Sequence, residues 1–189
     1  IDSFSYSEND IPLEERPEID RWILSELNTL IQDVGNSLDD FEPTKAARAI
    51  KLFVNDNLSN WYVRLSRRRF WKGDYGTDKI SAYQTLYTCL EKVAILASPI
   101  SPFFMDKLFD DLNQVTQKIK HESVHLAQWP KSKPEAIDTA LEERMRLAQD
   151  LTSMVFSLRK KENLRVRQPL QKMMVPVLND TVKSQIEAV

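Results

Sequence analysis

The segment Asn60-Trp61-Tyr62-Val63-Arg64-Leu65-Ser66-Arg67-Arg68-Arg69-Phe70-Trp71-Lys72 concentrates the side chains that bind polyanions. On an α-helix, Asn60, Arg64, Arg67 or Arg68, and Trp71 fall on one stripe. That stripe lies about 100° round from an apolar one formed by Leu58, Trp61 and Leu65, which the same spacing sends inward. Guanidinium groups fork onto phosphates, and an exposed ring stacks on an unpaired base, so the chemistry of such a stripe is RNA binding. Arg64, Arg67, Arg68, Arg69 and Lys72 are the expected phosphate contacts, Trp71 the stacking platform and Asn60 a base-edge partner. These residues also have a plainer use. Cations in the last turn stabilise a helix by about 0.3 to 1 kcal/mol, and Trp71 would serve equally as core. A second basic cluster holds Arg159, Lys160, Lys161, Arg165, Arg167 and Lys172. The alternation Arg165-Val166-Arg167-Gln168 puts both arginines on one face of a strand, and Lys160, Arg165 and Arg167 are expected to extend the RNA-binding surface.

Other chemistry is weakly represented. His121-Glu122-Ser123-Val124-His125 matches H-E-x-x-H, which on a helix gives two zinc ligands on one face and a glutamate acting as base. The match sits beside an extended run closed by Trp129-Pro130, with only Glu142 or Glu143 to offer as third ligand, so no metal is expected. Cys89 lies in apolar phase, three after Leu86 and four before Val93, as a buried thiol would. The glycines, Gly35, Gly73 and Gly76, cannot build a phosphate loop or a nucleophile elbow. No catalytic constellation is complete, which argues against a self-contained enzyme.

The elements that must position the basic stripe are helices. Only 3 of 189 residues are glycine, disfavouring sheets and barrels with many tight turns, while 42% apolar and 29% charged residues suit a globular protein. The longest uncharged stretch, Val93 to Met105, is interrupted by Pro99 and Pro102 and is too short to cross a bilayer. The absence of a leader at the start agrees with a cytosolic protein, and a first residue Ile1 reads as a piece of something longer. Residues 1–42 hold twelve carboxylates and two arginines, a net of −10; with a whole-chain net of −2, residues 43–189 carry +8. A polyanion partner suits the second part, and phosphate repels the first.

Residues 1–16 lack periodicity and read as a connector. Pro17 then opens a helix with apolar residues at Ile19, Trp22, Ile23, Leu27, Leu30, Ile31, Val34 and Leu38, in which Gly35 costs about 1 kcal/mol relative to alanine. Pro43 opens a second helix running to Trp71, and Thr77 caps a third with the stripe Ile80, Tyr83, Leu86, Tyr87, Leu90, Val93 and Ala97. Pro99 and Pro102 break it before a shorter helix over 103–112. A polar connector with an extended stretch at 123–129 leads to a helix carrying Ile137, Leu141, Met145, Ala148, Leu151, Val155 and Leu158. Leu164 to Val177 reads as a strand or strand pair, and Thr181 to Val189 as the start of a helix. The fold class is all-α: an antiparallel helix bundle over 17–163, with a short β or mixed segment beginning a further module over 164–189.

Asp20-Arg21-Trp22-Ile23-Leu24-Ser25-Glu26-Leu27, followed by Asn60 to Trp71, resembles the anticodon-binding helical domain of class I aminoacyl-tRNA synthetases. Within that family it is most similar to the isoleucyl branch that includes the eukaryotic cytosolic enzymes. Leu96-Ala97-Ser98-Pro99-Ile100-Ser101-Pro102-Phe103, Ser123-Val124-His125-Leu126 with Trp129-Pro130, and Val166-Arg167-Gln168-Pro169-Leu170 continue the likeness, which covers residues 17–178. The resemblance implies a fragment that grips a tRNA anticodon stem and loop. Its parent, with catalytic and editing domains in the same chain, would attach isoleucine to tRNA using ATP with Mg. The family's H-I-G-H and K-M-S-K-S signatures are absent here, so ATP, Mg and isoleucine belong to the parent and the fragment holds no cofactor. A cytoplasmic, monomeric fragment with no membrane partner is expected, and H-E-x-x-H becomes a coincidence in a linker. Valyl, leucyl and methionyl enzymes share the architecture, and a helical scaffold or protein-interaction module is the competing class.

Overall fold

A computed structural model describes residues 9–72, 74–117, 120–177 and 179–187. Among them every regular element is helical. They divide into two compact units, one ending at Ile137 and one starting at Asp138. The division falls before the fifth long helix, which the sequence pattern had placed in the bundle.

In the first unit, helix α1 spans Glu18–Asp39 and buries Trp22, Ile23, Leu27, Leu30, Ile31 and Val34, the stripe its spacing predicts. Pro17 stands one place before it, with its carbonyl accepting from Asp20 and Arg21 N–H. The chain leaves α1 through Phe41, whose φ of 59° is left-handed and whose ring lies in solvent. Helix α2 begins with Pro43 and ends at Leu52.

Beyond Leu52 the structure departs from the expected continuous α-helix. Phe53–Val63 is a π-helix, and after a break at Ser66 (φ −81°, ψ 3°) a five-residue helix α3 spans Arg67–Trp71. A π turn closes on i+5 rather than i+4, so each turn takes more residues and the inward face drifts along the sequence. Phe53, Asn57, Leu58 and Tyr62 are buried, then Ser66 and Phe70. The stripe predicted inward is correspondingly displaced: Leu58 is buried, Trp61 only half-buried, and Leu65 is 56% exposed.

Helix α4, Thr77–Ala97, follows Gly76, so Thr77 is its first residue and not its cap. It is buried on nearly every side, because α1, α2, α3 and the next helix, α5 (Pro102–Thr116), all pack against it. Its polar residues are matched in turn. Gln84 Oε1 accepts from Ile11 N–H (3.0 Å) and Gln84 Nε2 donates to the Asn9 carbonyl (3.0 Å). Arg16 Nη1 donates to Thr85 Oγ1 (2.7 Å). The described part of the leading connector is thus fastened along α4, through polar bonds that hydrophobic periodicity does not register.

Pro99 and Pro102 end α4 as expected, and α5 covers Pro102–Thr116. Its Phe109 packs with Ala94, Ile95 and Val124. The paired contacts Asp20 with Tyr62 and Glu26 with Asn57 show α1 antiparallel to the π segment, and Tyr87 with Thr116 pairs the middle of α4 with the end of α5. The stretch predicted extended at 123–129 instead contains a 3₁₀ turn, Val124–Leu126. Asp106 makes it, accepting from Ser123 Oγ (2.7 Å) and Val124 N–H (2.9 Å). These two bonds hold its carboxyl below the usual carboxylate range. No three His, Cys, Asp or Glu groups among the described residues are arranged to hold a metal. None of the described helices is long and apolar enough to cross a membrane.

The second unit holds α6, Thr139–Lys161, capped by the Asp138 carboxylate on Leu141 N–H (3.0 Å), and α7, Asp180–Glu187. Between them no described residue is in a strand. Arg165 to Gln168 is a turn, closed by Gln168 N–H on the Arg165 carbonyl (3.0 Å). Arg159 Nη1 donates to the carbonyls of Arg165 (2.8 Å) and Gln168 (2.9 Å). Backbone groups that a strand would offer to a neighbour are used locally, and Pro169 and Pro176 have no N–H to offer.

A Cβ built on Gly35 would meet nothing closer than Trp129 Nε1 at 3.8 Å, an ordinary contact. Gly35→Ala is therefore expected to raise stability by about 0.5 to 1 kcal/mol through lower chain entropy and better helix propensity, read as a higher urea midpoint at unchanged slope.

Candidate nucleic-acid interface

The outer side of the π segment and α3 carries the predicted residues. Asn60, Arg64, Arg67, Arg68 and Lys72 are all exposed, and Trp71, the last residue of α3, is 61% exposed. The side chains of Asn60, Arg64, Arg67, Arg68 and Lys72 meet no hydrogen-bond or ion-pair partner among the described residues. Arg67 and Trp71 stand one turn apart on α3, as do Arg68 and Trp71, so cation and ring share a side of that helix. Arg64 lies across the Ser66 break, which replaces the single α-helical stripe predicted from Asn60 to Trp71.

Arg69 does not join this set. Its side chain is 15% exposed and reaches inward to Asp20, which is fully buried on the first turn of α1. Nη1 and Nη2 fork onto the two Asp20 oxygens at 2.6 and 2.8 Å. Nε donates to Asp78 Oδ2 (3.0 Å), Nη2 also to the Asp78 carbonyl (2.9 Å), and Nη1 also reaches Ser66 Oγ (3.4 Å). A guanidinium has five N–H groups, and these five contacts use them all. Desolvation disfavours the charge of Arg69, yet the bonds and field of Asp20, aided by Asp78, outweigh it and hold the group above an ordinary arginine.

The Asp20 carboxylate accepts two further bonds, from Tyr62 OH (2.9 Å) and Ser81 Oγ (2.5 Å). Burial, and then the Asp20 charge, push the Tyr62 phenol above its usual range. Burial does the same to the Cys89 thiol, which is inert by the same reasoning. Asp20, Tyr62, Ser81 and Asp78 were not among the predicted site residues. One signal for Asp20 is present in the sequence: it precedes Ile23 by three and Leu27 by seven, so it sits in the phase of the core stripe. A carboxylate there requires a buried partner.

In the second unit Lys160 is exposed near the end of α6, and Arg165 and Arg167 are exposed in the turn that Arg159 closes. The strand alternation that was to align the two arginines is replaced by that turn.

Residues 20–174 match the family described as the anticodon-binding domain of tRNA ligase. The chain belongs to that family. Over all 189 residues the domain is 59% identical to the isoleucine–tRNA ligase of Bacteroides thetaiotaomicron and 58% identical to that of Cytophaga hutchinsonii. It is 42% identical over 167 residues, 88% of the chain, to the isoleucine–tRNA ligase of Thermus thermophilus. The chain spans 16 to 17% of the length of these relatives.

The two classes of residue in the domain separate in stability measurements. Tyr62→Phe strips a buried bond from a carboxylate and is expected to cost about 1.5 to 3 kcal/mol, whereas exposed Trp71→Ala should stay within about 0.5 kcal/mol of the parent in urea titrations.

Proposed function

We propose that this domain holds the anticodon stem and loop of isoleucine tRNA within a full-length isoleucine–tRNA ligase. The observation that carries the reading is the unpaired set Arg64, Arg67, Arg68 and Lys72 standing beside exposed Trp71 on the outer side of the π segment and α3. The four cations contact phosphates, Trp71 stacks an unpaired base and Asn60 meets a base edge. Arg69 supports that surface from behind. Lys160, Arg165 and Arg167 supply further phosphate contacts from the second unit.

The parent's catalytic domain binds ATP with Mg and isoleucine and performs the ligation in the cytoplasm, and its editing domain lies elsewhere in the same chain. Residues 1–16 lead in from the catalytic domain, 17–163 carry the anticodon-binding function across the two units, and 164–189 begin the following module. The domain itself takes no cofactor and needs no second copy or membrane. Its part in the reaction is positional: binding energy far from the chemistry aligns the tRNA acceptor end with the activated amino acid.

With four phosphates neutralised by the strip, log K for an isoleucine tRNA transcript should fall with log salt at a slope of about −3 to −3.5 from these residues. In the full-length ligase, Arg67→Glu with Arg68→Glu should weaken that binding at least about tenfold in 0.1 M salt and flatten the slope by about 2. Filter binding that returned an unchanged affinity, or none beyond that for an arbitrary polyanion, would leave the domain as a helical scaffold.

A further inference from the structure

Helix α3 carries Arg67, Arg68 and Trp71 but has only five residues, bounded by the break at Ser66 and by extended Lys72 (φ −131°, ψ 163°). A helix so short has no stability of its own, so tertiary contacts must set its orientation. Two residues on its inner side do so. Phe70 is buried against Tyr62 (ring centroids 6.4 Å apart, 73°) and Tyr83 (5.5 Å, 53°), and Tyr83 OH donates to the Phe70 carbonyl (3.2 Å). Ring burial sets how deep α3 sits, but apolar contact is nearly indifferent to roll about the helix axis. Roll matters, because one residue of rotation, about 100°, exchanges an outward for an inward side chain.

The Arg69 fork is the directional contact. Its planar guanidinium bonds both oxygens of a carboxylate at the start of α1 and both a carboxylate oxygen and the carbonyl of Asp78 at the start of α4. Asp20 is itself held in place by Tyr62 and Ser81. A fork held at two points tolerates little rotation. Buried ion pairs add little net stability but can specify one arrangement among several.

We propose that Arg69 and Asp20 are positioning residues for tRNA: they touch no RNA, and they fix the roll of α3 so that Arg67, Arg68 and Trp71 face it together. The inference rests on the tRNA-binding reading above. Arg69→Lys separates the two roles, since it keeps the charge while lacking the planar fork.

In the full-length ligase, Arg69→Lys is expected to weaken binding of an isoleucine tRNA transcript about tenfold and to lower the salt slope by about 1 to 2, although net charge is unchanged. An unchanged affinity would overturn the proposal. A weaker affinity at unchanged slope would overturn it too, by making Arg69 a direct contact. Asp20→Asn gives an opposed sign: a direct ligand freed from its carboxylate would bind more tightly, a lost positioning contact more weakly. Thermal unfolding of each variant is followed alongside, and if Asp20→Asn does not fold, Arg69→Lys decides alone. Loss of binding by Arg67→Glu/Arg68→Glu without loss by Arg69→Lys overturns the positioning role alone. Insensitivity of both overturns the tRNA reading with it.

Discussion

A carboxylate with no solvent exposure sits at the start of α1, and much of the first unit is arranged around the need to satisfy it. Stripping water from an ionised Asp20 costs several kcal/mol unless its lone pairs are met. They are met by two arginine nitrogens, a phenol and a serine hydroxyl, contributed by α3, the π segment and α4. Four elements that hydrophobic burial would hold in many relative orientations are thereby tied at one point. The cation that neutralises Asp20 comes from the end of a run of three arginines, Arg67 to Arg69, so the last of the three faces inward while the first two face solvent.

The π segment determines which arginine that is. Had Phe53–Val63 continued as an α-helix, the stripe ending in Trp61 and Leu65 would have been buried. The wider turns instead bring Tyr62, Ser66 and Phe70 inward, with Arg69 beside them. Asn57 gives the widened stretch a polar tether, its amide donating to Glu26 Oε2 at 3.0 Å, and Trp22 Nε1 donates to the other oxygen of the same carboxylate at 3.1 Å.

Much of the architecture was legible. The stripe of α1, the break at Pro99 and Pro102, the buried thiol at Cys89 and the general exposure of Arg64, Arg67, Arg68 and Trp71 follow from spacing and residue type. Less legible were features set by polar bonds over long sequence separations. The fastening of residues 9–16 along α4 through Gln84 and Thr85, the Asp106 turn and the use of Arg159 to close Arg165–Gln168 leave no periodic trace. The predicted strand after residue 164 rested on β-branched residues alone, and with two prolines and local backbone pairing those residues form a turn and irregular chain instead.

By itself, then, the order of residues determined that this would be a helical protein with a concentrated cationic surface and an acidic leading part, because hydrophobic period, glycine scarcity and charge are local quantities. That Arg69 turns inward from among those cations was decided only in three dimensions. That outcome depends on the pitch of one helical stretch and on where a buried carboxylate finds its partners. Both are settled by packing among elements up to 61 residues apart, as Asp20 and Ser81 are, and not by any window of sequence.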